Sequence, residues 1–170
     1  NIPKIKIKKA IKNFHGLPGR LEKIAEKNNI IYINNTTATN PKAGIYGIED
    51  TFKKYPKNKY PFLVVIAGGS DKDLSVDDFI KTLSKFADLI VFLPGEASEK
   101  MIERIKKIFP NTNYKKAKSM NEAVNIATNF LKNKKGVILL SPGASSFGIF
   151  KHEFDRGEKF NSAVKKLPKN

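Results

Sequence analysis

The sequence predicts an α/β fold: a Rossmann-like, mainly parallel sheet with helices on both faces, preceded by a short β-hairpin. Three observations predict it. Four short apolar runs, at 30–33, 62–67, 89–93 and 137–140, are rich in β-branched residues and too short for buried helices. Segments of helical length with recognisable start signals lie between them. Most of the runs end in a polar loop of small residues, the punctuation expected between a strand and the next element. Strands that alternate with such helices form a parallel sheet covered on both sides, with right-handed crossovers.

In chain order, residues 3–13 read as a short basic helix or linker, and 14–19 as a turn-rich connection. Segments 21–26 and 30–34 form the hairpin, turning at Asn28-Asn29, a pair that tolerates positive φ. Asn40 caps a helix over 41–54 whose first turn accepts Pro41, because the missing N–H costs nothing there. Ser75 and Asp78 have capping-box spacing for a helix over 76–86. A helix over 97–109 and a weaker strand around 114–117 follow. Ser119 and Glu122 form a second capping box before a helix over 120–131. After the last buried strand, Ser141-Pro142-Gly143-Ala144-Ser145-Ser146-Phe147 leads to a final helix over 156–167. Residues 14–170 are expected to form one domain, with 1–13 leading into it.

Composition narrows the function classes. At 170 residues and 40% apolar content, one globular domain with a proper core is expected. No run approaches the ~20 apolar residues that span a bilayer, and Asn1-Ile2-Pro3-Lys4 does not open an apolar signal segment. With no cysteine, disulfides and thiolate metal sites are excluded, and a cytoplasmic location is the expectation. The net charge of +16 invites a nucleic-acid reading. Against it, 29 of the basic residues are lysine and only Arg20, Arg104 and Arg156 carry the forked guanidinium that base and phosphate recognition favours. The lysines are spread over most of the helices beside 16 asparagines, a compositional bias rather than one basic face. A small anionic substrate gains from the same field.

The loops after Ile33, Ala67 and Leu140 share the carboxyl edge of the predicted sheet, where α/β folds bind phosphates and nucleotides. Asn34-Asn35-Thr36-Thr37-Ala38-Thr39-Asn40-Pro41 offers hydroxyls and amides beside a helix start; a ligand loop and a plain capped connection both fit. In Gly68-Gly69-Ser70-Asp71-Lys72 the glycines let backbone amides approach an anion, and Lys72 supplies a point charge. A tight turn with a solvated lysine is the other reading. The serines of 141–146 are ligand groups or caps. Asp71, Asp73, Asp77 and Asp78 lack calcium-loop spacing and decorate a helix start. His15 and His152 lie far apart without a partner motif, and no nucleophile, base and orienter can be assembled. There is no Gly-x-x-x-x-Gly-Lys-Ser/Thr, Gly-x-Gly-x-x-Gly or Gly-x-Ser-x-Gly. Neither a catalytic residue nor a metal ligand is assigned to this chain.

Four ordered segments carry a resemblance: Phe14-x-Gly16-Leu17-Pro18-Gly19-Arg20-Leu21-Glu22; Tyr32 through Pro41; Ala67-Gly68-Gly69-x-Asp71-Lys72; and Leu139 through Phe147, continuing to Phe150-Lys151 and Asp155-Arg156-Gly157. Together they resemble the carboxyl-terminal domain of the Mur ligases, in the branch that adds D-glutamate. The resemblance implies ATP- and Mg2+-dependent amide formation through an acyl phosphate, in a cytoplasmic, monomeric enzyme of peptidoglycan precursor synthesis. It implies that the UDP-binding and ATPase domains, with the magnesium ligands and the grip on UDP-N-acetylmuramoyl-L-alanine, lie outside these residues, so that the chain alone does not ligate. By position, Arg20, Asn35 and Thr37 face ATP, and Thr39, Lys72, Ser146 and Phe147 surround D-glutamate. The sequence departs from the family pattern where Gly19 replaces histidine and where Asn35 and Thr37 replace aspartate and lysine. The aromatic after Lys151 is shifted by one, to Phe154. Other readings are a related pseudomurein or folylpolyglutamate-type ligase for another amino acid, a non-catalytic anion-binding module, and a lysine-rich nucleic-acid binder.

Overall fold

The computed structural model describes residues 2–14 and 16–168; His15 lies outside the described residues. A short helix α1 (Lys4–Lys12) leads to a hairpin of β1 (Glu22–Lys27) and β2 (Ile30–Asn34). Then come α2 (Pro41–Lys54), β3 (Phe62–Ala67), α3 (Asp77–Phe86), β4 (Leu89–Phe92) and α4 (Glu96–Ile108). The chain ends through β5 (Tyr114–Lys116), α5 (Met120–Phe130), β6 (Gly136–Leu140) and α6 (Glu153–Lys166). One six-stranded sheet has the order β1-β2-β6-β3-β4-β5, antiparallel only at the β1–β2 hairpin. The hairpin turns where expected, with Asn28 and Asn29 at φ +52° and +64°. Its second strand is the parallel neighbour of β6.

Strand side chains alternate between two apolar layers, as a pleat with period two requires. Ile30, Tyr32, Val64, Ile66, Ile138 and Leu140 pack under α5 and α6, through Val124, Phe160 and Val164. Their sequence neighbours Ile31, Ile33, Val65, Val137 and Leu139 pack on the other face against α2, α3 and α4, through Ile48, Phe79, Leu83 and Met101. The sheet is therefore an α/β sheet buried on both faces, as predicted. Among the described residues, one buried side-chain polar atom has no partner: the Thr51 hydroxyl on α2. Thr51→Val keeps the shape and removes an unpaired group, so unfolding free energy should rise by about 1 kcal/mol. A loss in denaturant titration would show that the hydroxyl has a partner after all.

Two helix starts differ from expectation and one matches it. The capping box at Ser75 does not form: α3 begins at Asp77 after Val76, which gives no side-chain cap, and Asp78 falls one position short of the reciprocal site. Two carboxylates in the first turn serve the helix dipole instead, with Asp77 forked by Arg104 at 2.6 and 2.8 Å. Ser119 does cap α5, accepting from Glu122 N–H at 3.2 Å, while the Glu122 carboxylate reaches Lys118 N–H. The last helix starts three residues early, at Glu153, because His152 Nδ1 accepts from Asp155 N–H. That capping bond gives His152 a structural place.

Candidate functional site at the carboxyl edge

The chain leaves β2 through α2 on one face and β6 through α6 on the other, although the two strands are neighbours. Loops that part in this way open a crevice at the strand ends, the usual ligand position of an open α/β sheet. Backbone bonds stitch the three expected loops together: Asn35 N–H to Leu140 O, Gly68 N–H to Pro142 O, Gly143 N–H to Ala38 O, and a Ser70–Ser145 bridge. Below them lies a fully buried Arg156. Its Nε donates to Thr36 Oγ1 at 3.2 Å, and its two terminal nitrogens to Thr36 O at 2.8 Å and Ala144 O at 3.0 Å. The Thr36 hydroxyl in turn donates to Glu153 O at 2.6 Å. Burial without a carboxylate partner pushes the Arg156 guanidinium down to about 10, so it remains a cation at neutral pH, facing backbone oxygens.

The N-terminus of α2, capped by Asn40 and begun by Pro41 as predicted, divides two clefts. On one side Arg20, Asn35 and Thr37 come together around a groove of about 280 Å³. On the other, Thr39 and Lys72 line a narrow cleft of about 10 Å³, floored by Gly143 and Ala144. Lys72 is exposed. Ser146 and Phe147 fall outside both linings. Ser146 is buried, whereas the Phe147 ring is 62% exposed and its carbonyl accepts from the Ser70 hydroxyl.

Several groups expected to face a ligand are used inside the protein. The Gly68 amide donates to Pro142 O at 2.8 Å, Gly69 to Ser98 Oγ at 3.0 Å and Ser70 to Ser145 O at 3.0 Å. The glycine-loop amides therefore form a latch, which corrects the anion-cradle reading. Asn35 is only 7% exposed; its Oδ1 accepts from Leu21 N–H, and its Nδ2 donates to Ser141 Oγ. Ser141 then bonds Gly44 O, so this serine joins strand to helix. Thr37 closes on Gly19: both its N–H and its hydroxyl donate to Gly19 O, at 3.2 and 3.0 Å. Gly19 has φ +71°, and a Cβ there would stand 2.8 Å from Thr36 Cγ2. The departures at 19 and 37 thus fit one another: a larger residue at 19 collides with the loop that Thr37 clasps.

Asp71 organises its loop, accepting from Lys72 and Asp73 N–H and pairing with Lys100 at 2.8 Å. The Lys100 bond holds its carboxyl below the ordinary value, against a smaller opposing effect of burial. A lowered folded-state value means that the stabilisation is complete above the unfolded-state value, near about pH 4, and fades as pH falls through the folded one. Amide protection of Lys72 and Asp73 should drop below that pH, and Asp71→Asn should reproduce the drop at neutral pH. Unchanged protection in that variant would remove Asp71 from this role.

The profile of the Mur ligase glutamate ligase domain matches residues 19–143. The chain belongs to the Mur ligase family. It is 33% identical over 158 residues to the UDP-N-acetylmuramoylalanine–D-glutamate ligase of Roseiflexus sp. (strain RS-1), covering 93% of this chain and 32% of that protein. It is 34% identical over 166 residues to the ligase of the same name from Christiangramia forsetii, covering 98% of this chain and 35% of the relative. The chain therefore spans about a third of the length of these relatives. Among solved structures, E. coli FolC in complex with DHPP and ADP superposes with a TM-score of 0.66 at 20% identity, over 98% of this chain and 36% of that one. A murein peptide ligase from Psychrobacter arcticus gives 0.64 at 15%, over 95% and 33%. At these identities the superpositions establish the shared fold. Sequence reasoning named most of the edge residues of this Mur ligase domain but gave Arg156 no role beyond the matched segment. The signal available was an arginine followed by Gly157, whose absent side chain leaves room for Thr36.

Proposed function

We propose that this Mur ligase domain is the amino-acid-binding part of an ATP-dependent ligase that joins D-glutamate to UDP-N-acetylmuramoyl-L-alanine. The observation that carries the reading is the pair of clefts meeting at the start of α2: Arg20 and Thr37 line one, and Lys72 and Thr39, two residues further along the same loop, line the other. One cleft takes the nucleotide phosphates against Arg20, and Lys72, exposed at the rim of the other, takes a glutamate carboxylate. Among the described residues Lys72 makes no ion pair, so its charge is available to a substrate. ATP phosphorylates the alanine carboxylate, the D-glutamate amine attacks the acyl phosphate, and phosphate leaves. This domain contributes position, holding the amine toward the acyl carbon, and magnesium takes its ligands from the remaining part of the ligase.

The names of the relatives support the substrates, and their lengths support a remainder. Helix α1 fits that arrangement. It precedes the matched span and buries no side chain, and nine residues are too few for a stable isolated helix. Ile7, Ala10 and Ile11 lie along one exposed side of it at helical spacing, a stripe suited to packing against the ATPase part.

The test uses the ligase that carries this chain. Lys72→Ala should raise KM for D-glutamate roughly 10–100-fold, the worth of a charge-assisted bond, and leave KM for ATP unchanged. An effect on ATP alone would reverse the assignment of the clefts. Preference for L-glutamate would move the reading to a folylpolyglutamate-type ligase.

A further inference from the structure

We propose that Tyr46 and Asp50 of α2 hold the nucleoside half of the nucleotide, with Tyr46 against the base and Asp50 on the ribose hydroxyls; this rests on the ATP reading of the Arg20 groove. The two residues are one helical turn apart, a spacing that puts both side chains on one face, and both line that groove beside Arg20, Asn35 and Thr37. Its volume, about 280 Å³, is close to the lower end of small-ligand sites, roughly 300 Å³.

Asn35, which the resemblance places toward ATP, is poorly placed to hold the ribose. It is almost fully buried, and one acceptor and one donor position of its amide are already engaged by Leu21 and Ser141. It is also boxed in by α2, because a Cβ on Gly47 would stand 2.2 Å from Asn35 Nδ2. Asn35 is therefore a strut between β2, β6 and α2. The groove's one carboxylate is Asp50. A carboxylate accepts two hydroxyl protons without needing a donor in return, and charge-assisted bonds of this kind are about twice as strong as neutral ones. Asp50 is free to do so: its partner is Lys53 at 3.4 Å, and both side chains are more than half exposed, a pair that exchanges cheaply for another contact. Tyr46 is 55% exposed. An aromatic ring beside a polar groove offers a stacking surface for a base.

The experiment is calorimetric binding of ATP, 2′-deoxy-ATP and inorganic tripolyphosphate to the ligase that carries this chain, as wild type, Asp50→Asn and Tyr46→Ala. Thermal unfolding confirms that these exposed-face variants fold. The wild type should prefer ATP over 2′-deoxy-ATP by roughly tenfold, the worth of one bond to a charged group. Asp50→Asn should abolish that preference. Tyr46→Ala should weaken both nucleotides by roughly 5- to 100-fold, as loss of base stacking does. Neither variant should alter tripolyphosphate binding. Retention of the ribose preference in Asp50→Asn, or of nucleotide affinity in Tyr46→Ala, overturns the assignment while the ATP reading stands. Failure of the wild type to bind ATP overturns that reading and this assignment with it.

Discussion

Replacing Arg156 by methionine should cost about 3–5 kcal/mol of stability and detach the two loops that form the site. The guanidinium serves three acceptors: Thr36 O, Thr36 Oγ1 and Ala144 O. Each buried acceptor left without a donor costs about 1–3 kcal/mol. The sum is reduced because methionine no longer carries a buried charge, whose desolvation opposes folding. The same logic predicts only partial rescue by Arg156→Lys. An ammonium keeps the charge but lacks the planar fork that reaches Thr36 and Ala144 together. Urea unfolding should show a lower midpoint for both variants, methionine the lower. Because Thr36 directly precedes Thr37 of the Arg20 groove and Ala144 floors the cleft beside Lys72, both clefts should lose definition at once. A cost below about 1 kcal/mol for methionine would mean that the backbone bonds among the loops suffice without the arginine.

The fold was readable where one residue's chemistry allows one conformation. Asn28-Asn29 forced a hairpin turn, Asn40-Pro41 started α2, and the short β-branched runs became strands. The insertion of β6 between β2 and β3 follows from no local pattern; it is decided by which apolar faces match across the sheet. Helix starts were less legible, since Ser75 and His152 both had capping chemistry and only the packing of α3 and α6 decided which was used. At the site, the sequence showed which loops share an edge but not which polar groups remain for a ligand. Asn35 and the Gly68 and Gly69 amides find partners on other loops and elements, 14 to 106 residues away in sequence. Lys72, by contrast, is where a charge at the end of a buried strand suggested it should be: at the surface, beside Thr39.

The glycine pair after β3 provides the second large effect. Gly69→Ala should cost roughly 3–5 kcal/mol, combining about 1–3 for overpacking with about 1–3 for forced backbone. Gly69 has φ +142°, and a Cβ there would lie 2.1 Å from Ser145 O. That oxygen accepts from Ser70 N–H, and the Ser70 carbonyl accepts from Ser145 N–H in return, so the obstructing atom cannot retreat without breaking the bridge. Gly68→Ala is the informative control. Its φ is +95°, but the Cβ would meet the Ser98 hydroxyl, a side chain that can rotate after giving up its bonds to Leu93 O and Gly69 N–H. The Gly69 variant should therefore be the less stable in denaturant titration. It should also be the one that displaces Ser70-Asp71-Lys72 and, on the proposed function, raises KM for D-glutamate. Equal effects from the two substitutions would show that positive φ alone sets the requirement for glycine. A larger effect at Gly69 assigns it to close contact between the β3 and β6 loops, the contact that fixes where Lys72 stands.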